Sequence, residues 1–468
     1  MTRPYPDHPQ LKGNFAPIRM EADVPDVIVR GELPPDLDVT YFRNGPDPQF
    51  PPRGQHHWFA GDGMLHRFHI RDGRVSYRNR WVRTVKWKLE REAGESLFSA
   101  FDPMASDPRV QGIETDGLAN TNVVWHGGRL LALEEAHAPF EVDPETLASM
   151  GSWTFDGALS GPMTAHPKMD PKTGEMLFFG YMADGPFGRQ VSYQVVNAGG
   201  DLVRSERFDA PFPSMMHDFV VTDEHVIFPI FPLTGSLERA MQGQPAFAWE
   251  PDKGTHIGIM PRDGSVDDIR WFETDPCFVF HPMNAFTDGN RIIAHVMQFE
   301  EAPLFPHLNG SKPDPAKANA RLAEWEFDLA DNTNAVKRRY LDDLTGEFPR
   351  LDERYAGNAY RHGYYAASTT GNGGAGFDAL AHHDFGTSTR RLYRLPEGDR
   401  VGEPVFVPRS AGAAEGDGYL LTTVYRAAGN RSDLAVFDAT DLAAGPIACA
   451  ELPHRIPHGF HGNWMHNA

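Results

Sequence analysis

The sequence predicts an all-β fold, and three observations carry that expectation. Short runs rich in Val, Ile, Phe and Leu recur along all 468 residues, and turn clusters such as HGGR, DPKTGE, TDEH, TDGNR, AEGDG and GNRSD separate them. Amphipathic helical periodicity is scarce; the best candidate, roughly Asp314 to Leu322, is brief and runs into the strand-like EWEFDL. A hairpin pattern also repeats without repeating its sequence.

That hairpin appears as AHPKMDPKTGEMLFFGY, MHDFVVTDEHVIFPIF and FHPMNAFTDGNRIIAHVMQF. Each copy places a histidine about ten residues before a strongly apolar return strand, the spacing of one hairpin of five-residue strands. TNVVWHGGRLLALEEA has the same frame, with Thr121 where the histidine would stand. Repeated hairpins suggest a radial β-propeller, in which equivalent inner-strand positions converge on one axis. A β-sandwich would scatter these histidines over two sheets. No Gly-, Ser- or Pro-rich linker divides the chain, so residues 1–468 read as a single domain. Propeller closure commonly joins the chain ends, which would carry the C-terminal HGFHGNW to the other histidines.

Composition narrows the function. With 40% hydrophobic and 23% charged residues, the chain can bury a large core. A net charge of −20 with no large Lys/Arg cluster argues against nucleic acid as a partner. Two cysteines, Cys277 and Cys449, cannot build a disulfide framework, which fits a reducing cytoplasm. The N-terminal MTRPYPDHPQLKGNFAP lacks a signal-peptide core, and no apolar run is long enough to span a bilayer. Peripheral contact with a membrane, through apolar side chains near a tunnel mouth, stays open.

Among 21 histidines, three in matched frames point to a metal. Neutral imidazole binds Fe, Zn, Cu and Ni, and a site without thiolate or carboxylate keeps the ion's positive charge and leaves positions open, which suits oxygen activation. Such histidines usually donate their second ring N–H to an acid or a carbonyl. Glu135 in LEEAHAP, Glu347 in GEFPRL and Glu415 in AEGDGYLL are acids in or beside strand-like segments. His382 and His383 are adjacent and would face opposite sides of a strand, so a surface loop is their expected setting. No nucleophile elbow, H-E-x-x-H or Walker loop is present, and GNGGAG lacks the flanking strand and helix of a phosphate cradle.

Several further motifs occur in one order along nearly the whole chain: YFRNGPDPQF, HHWFAGDGMLHRFHI, EVDPETL, GEFPRLDERYAG, AEGDGYLLTTVYRAAGNRSDLAVFDA and the closing GFHGNW. With the three histidine hairpins, they resemble the carotenoid cleavage oxygenase family, which includes lignostilbene-, stilbene- and isoeugenol-cleaving dioxygenases. The resemblance implies a seven-bladed β-propeller whose short helices and loops cap an axial iron site. It implies one Fe(II) per chain on His166, His217, His281 and His461, selecting His461 over nearby His458, with O2 as co-substrate. It also places the supporting glutamates at Glu135, Glu347 and Glu415, and Thr121 beside a vacant coordination position. The implied reaction cuts a small apolar alkene's C=C bond into two carbonyls inside an apolar tunnel, for which Phe59, Phe101, Phe305 and Trp249 are the expected lining.

Stilbene cleavers grip the substrate's phenol with a tyrosine and a lysine, which correspond here to Phe101 and Glu134. On that ground an apocarotenoid polyene is the expected substrate, ahead of a stilbene or phenylpropene. A non-catalytic propeller scaffold, or an isomerising member of the family, is the alternative class, and metal analysis separates the first from an oxygenase.

Overall fold

The computed structural model describes residues 3–54, 56–99, 105–371 and 376–467. The chain is all-β, and its strands form antiparallel sheets that follow one another in chain order. The first sheet runs Ala22–Val24, Arg74–Trp81, Gly63–Arg71, Val39–Pro46, and is completed by Gly462–His466 from the far end of the chain. Three four-stranded sheets follow: from Asn122–His126 to Ser149–Ser152, from Lys168–Met169 to Leu202–Asp209, and from Val220–Val221 through His225–Ile230 and Thr255–Pro261 to Arg270–Thr274. A seven-stranded sheet spans Phe278–Asp288 to Thr389–Arg394. A six-stranded sheet joins Ile28–Gly31 to Pro446–Glu451, Arg431–Asp438, Gly418–Arg426 and Arg400–Val401, with Val405–Pro408 also on Gly418–Arg426.

The strand Val336–Leu351 does double duty in the seven-stranded sheet. Its first part pairs with Arg321–Asp328 and its last part with His362–Ser368. The register slips between Glu347 and Arg350, so the strand bends there, as bulged strands do beside functional sites.

Burial follows position within a sheet. Met176–Tyr181 is buried at every residue, whereas the outer strand Leu202–Asp209 shows strict alternation, half-covered on one face and exposed on the other. The all-apolar strands lie inside and the alternating ones form the rim.

Two elements depart from expectation. The segment from Asp314 to Leu322 is a turn leading into the strand Arg321–Asp328. Pro313 and Pro315 remove amide donors there, and the Asp314 carboxylate accepts from Ala316 N–H, closing a turn in place of a helix. The longest helix among the described residues is instead Val85–Ala93, capped by Thr84 and ended by Gly94 in the left-handed conformation. Its buried Lys86 pairs with Asp62 at 2.7 Å and Glu90 at 2.8 Å. His382 and His383 are also not in a surface loop: both are buried in the strand Ala379–Asp384, and His382 Nε2 lies 3.0 Å from His362 Nδ1.

The N-terminal segment is pinned by Asp47, whose carboxylate accepts from Ile18 N–H (3.1 Å) and Arg19 N–H (3.3 Å). Burial pushes its carboxyl up to about 8, opposed by those N–H groups and by Arg455. An unfolded Asp titrates near ~3.9, so the folded chain binds this proton more tightly. The resulting stability is complete below the unfolded value and drains as pH rises through about 8. Asp47→Asn, which keeps one of the two acceptor oxygens and cannot ionise, is therefore expected to flatten the fall in melting temperature between pH 5 and pH 9, read by thermal melts across that range.

Candidate metal centre

Sheet starts and sheet irregularities position the histidines. His166 lies just before Lys168–Met169, and its backbone N–H donates to Thr164 Oγ1 (3.1 Å). The same hydroxyl donates to the His217 carbonyl (3.3 Å), coupling the loops that carry the two rings. His281 lies inside Phe278–Asp288 where the register slips between Val279 and Pro282; Pro282 has no ladder donor, so the strand kinks at the histidine. His461 precedes Gly462–His466, donating its N–H to the Thr121 carbonyl (3.1 Å) and accepting from Asn44 N–H (2.8 Å).

All four rings meet. Their centroids lie 4.4 Å (His166–His461), 4.6 Å (His166–His217), 4.7 Å (His281–His461) and 5.1 Å (His217–His281) apart. One ring nitrogen from each falls within 4.8 Å of the others. His217 Nε2 is 3.0 Å from His166 Nε2 and 3.3 Å from His281 Nε2.

The donor set fits a metal ion. The Nδ1 atoms of His217, His281 and His461 are committed to carboxylates: Glu135 Oε2 at 2.6 Å, Glu347 Oε2 at 2.5 Å and Glu403 Oε1 at 2.9 Å. With Nδ1–H donated, each Nε2 presents a bare lone pair to the centre. Bare lone pairs at these separations repel unless a cation lies between them. Two nitrogens at right angles on a metal ~2.1 Å away stand about 3.0 Å apart, the spacing seen here.

Burial depresses His166 well below the ordinary imidazole value, His281 to about 3 and His461 to about 4, keeping them neutral as ligands must be. Burial also acts downward on His217, but Glu135 overrides it and holds this ring above its usual value.

Of the three expected glutamates, two stand where expected and one does not. Glu135 holds His217 and takes a second bond from the Tyr181 hydroxyl at 2.6 Å. Glu347 holds His281 and accepts from Phe348 N–H (2.6 Å), while burial pushes its carboxyl up to about 8. Glu415 does not reach the centre: it accepts from the backbone N–H of Arg361 (2.6 Å) and His362 (2.9 Å), capping a strand start. Its place is taken by Glu403, between Arg400–Val401 and Val405–Pro408, which binds His461 and accepts from Gly462 N–H (2.8 Å). Burial opposes ionisation of Glu403, but buried Arg350, 3.4 Å away, overrides it and holds the carboxyl down at about 2.

Glu403 sits in VGEPVFV, an acid between strand-like runs, so the rule that selected the other glutamates applied to it equally. Arg350 and Tyr181 carried no separate sequence signal. Thr121 joins the assembly through its carbonyl on His461 N–H, and its hydroxyl donates to Asn120 Oδ1 (3.0 Å).

An aromatic ladder leads outward from His217. Phe280 stands 5.1 Å from the ring, and Phe59, Phe305, Phe247 and Phe187 follow at successive centroid separations of 6.4, 6.5, 6.2 and 5.4 Å. Phe348 stacks on His281 at 5.3 Å. Phe59 and Phe305 thus belong to this ladder, whereas Phe101 lies outside the described residues. Trp249 is buried in the hairpin of Leu233–Gly235 and Phe247–Trp249, where its backbone N–H holds Pro306, next to Phe305. Glu134 adjoins Glu135 in the chain and its carboxylate is paired with His137 Nδ1, which carries that ring above its ordinary value against burial.

The family model described as RPE65, retinal pigment epithelial membrane protein, matches residues 15–466. The chain belongs to the RPE65/carotenoid cleavage oxygenase family. Isoeugenol monooxygenase of Pseudomonas putida is 40% identical over 98% of both chains. The crystal structure of Pseudomonas brassicacearum lignostilbene dioxygenase superposes with a TM-score of 0.95 at 36% identity, covering 100% of each chain. A Synechocystis apocarotenoid oxygenase variant gives 0.86 at 30% identity over 96% of each. The chain is accordingly an oxygenase of this double-bond-cleaving family. The likeness is greater to relatives named for a phenylpropene and a stilbene, which reverses the order expected from Phe101 and Glu134.

Proposed function

We propose that this chain is a non-haem iron(II) oxygenase that cleaves the side-chain double bond of a phenolic alkene, a phenylpropene or stilbene, into two carbonyl products. The four imidazoles whose ring nitrogens lie within 4.8 Å of one another, three of them with Nδ1 committed to a carboxylate, carry the reading. An all-imidazole set supports ferrous iron and leaves positions free, and the bound ion would supply the activation of O2. Glu135, Glu347 and Glu403 fix the tautomers and directions of three ligands. Phe280, Phe59 and Phe305 lay a flat conjugated substrate along the ladder and keep water from the reacting carbons. The Glu134–His137 pair accepts the phenol hydroxyl, a role for a carboxylate where relatives of the stilbene branch use a lysine.

The architecture that serves this chemistry is a seven-bladed propeller in one domain, read from sheets that each send a residue to the centre: His461, Thr121, His166, His217, His281 with Glu347, and Glu403. The sixteen-residue strand Val336–Leu351 would serve two blades. A reducing cytoplasmic setting suits the free Cys277 and Cys449.

The test is a parallel incubation of Fe(II)-loaded protein with isoeugenol, resveratrol and a polyene aldehyde, with carbonyl products identified by mass spectrometry. Aldehydes from the phenolic alkenes are expected; products from the polyene alone would reject the substrate assignment. A chain that binds no iron and turns over none of the three would favour the scaffold reading. Glu134→Gln should also shrink the preference for free phenol over its methyl ether by about tenfold, since a hydrogen bond to a charged group contributes about 1.5–3 kcal/mol.

A further inference from the structure

Three of the four metal-facing histidines have a carboxylate at hydrogen-bonding distance from Nδ1, and His166 has none. The acid that faces its Nδ1 is Asp218, with Oδ2 at 3.8 Å, beyond a direct hydrogen bond but within reach of its charge. Asp218 is buried and strongly held on its other oxygen, which accepts from Phe219 N–H (2.7 Å) and pairs with Lys168 Nζ (2.7 Å). Oδ2 is left turned toward the imidazole. The arrangement crosses two sheets: Lys168 stands two residues after His166, and Asp218 follows His217. Each partner is thereby placed by the other's ligand loop.

Resting on the metal-centre reading above, we propose that Asp218, anchored by the Phe219 N–H and shared with Lys168, is the positioning residue for His166. It orients the ring through charge across the 3.8 Å gap and adds a fourth, weaker anionic support to the centre. When Nε2 carries a dication, the Nδ1–H becomes a stronger donor and is drawn toward Oδ2. Lys168 restrains this by sharing the carboxylate, so His166 is the least tightly directed of the four ligands.

A purely structural ion pair and a metal-directed one differ in sign. If Asp218 supports the ligand, Asp218→Asn removes negative charge from the centre, whereas Lys168→Met frees the carboxylate to approach Nδ1. The experiment measures iron affinity by chelator competition and the visible absorption of the Co(II)-loaded protein, with thermal melts alongside. Asp218→Asn is expected to weaken iron by roughly tenfold, the lower end for residues that support ligands, and to shift the cobalt bands. Lys168→Met should hold iron at least as tightly as wild type, and Lys168→Arg, which keeps the ion pair, should match wild type throughout.

Equal iron affinity and unchanged cobalt bands in Asp218→Asn would overturn the assignment, whatever the melting temperature does. So would parallel loss of affinity in Asp218→Asn and Lys168→Met, the outcome of a sheet-to-sheet contact with no directed role. A wild-type chain that takes up neither metal would instead bring down the metal-centre reading, and this assignment with it.

Discussion

Replacing His281 by alanine is expected to leave the purified chain with less than about a tenth of the wild-type iron and no measurable alkene cleavage. His281 is one of four rings whose donor nitrogens converge, and its Nε2 lies 3.3 Å from that of His217. Its loss removes a lone pair that no neighbour can replace and leaves the Glu347 carboxyl buried without its imidazole partner. It also removes the ring on which Phe348 stacks. Side-chain truncation alone can destabilise a buried site, so His281→Gln, closer in volume, serves as the companion variant. Both are expected to lose iron, measured by metal analysis against protein concentration, and both should retain a cooperative melt. Wild-type iron stoichiometry in either variant would mean that the four-imidazole centre is not where the metal resides.

The second large effect separates two glutamates. Glu403→Gln is expected to weaken iron binding by about 10–100-fold, the usual consequence of removing a carboxylate that directs a ligand. It also strips one of two acidic partners from buried Arg350, which keeps Glu353 at 3.2 Å, so part of the cost of breaking a buried ion pair is incurred. A lowered melting temperature should therefore accompany the loss of iron. Glu415→Gln should change neither, because a glutamine oxygen still accepts from the Arg361 and His362 N–H groups. Chelator competition and thermal melts on the two variants decide the matter. Iron loss in Glu415→Gln with none in Glu403→Gln would return support of His461 to Glu415.

Glu403 and Glu415 mark the limit of what residues alone reveal. The β class, the hairpins and the three internal histidines were legible because each histidine opens a strand–turn–strand frame, and period and turn chemistry act locally. Glu135 and Glu347 were legible as acids in or beside strand-like segments, a sign that Glu415 carried equally. Glu403 was not, since it and Glu415 both flank strand-like runs on the way to His461, and only the packing of the last strand against Val39–Pro46 decides which of them meets that ring. Local pattern cannot choose between two acids in similar strand-flanking settings when a long-range contact selects one.

The helix Val85–Ala93 was missed for a related reason. Its buried face carries Lys86 and Glu90, so its polar composition hides an inward-facing side that the ion pair with Asp62 satisfies. His382 and His383 were assigned to a surface loop because adjacent side chains on a strand face opposite sides and make poor joint ligands. In the strand both are covered, His382 beneath Tyr364 and His383 beside Phe385.

The pairing of Gly462–His466 with Val39–Pro46 bears on how the protein matures in the cell. A chain still emerging from the ribosome can present His166, His217 and His281, yet it can offer only an open trio of imidazoles. The last ligand arrives when the late strand docks on the early one and clamps His461 between Asn44 and Thr121. Until then Val39–Pro46 keeps one flank unpaired, the kind of edge on which chains aggregate. Tight metal capture thus becomes a signature of completed assembly, and chains interrupted late in synthesis should accumulate as sticky, iron-poor species.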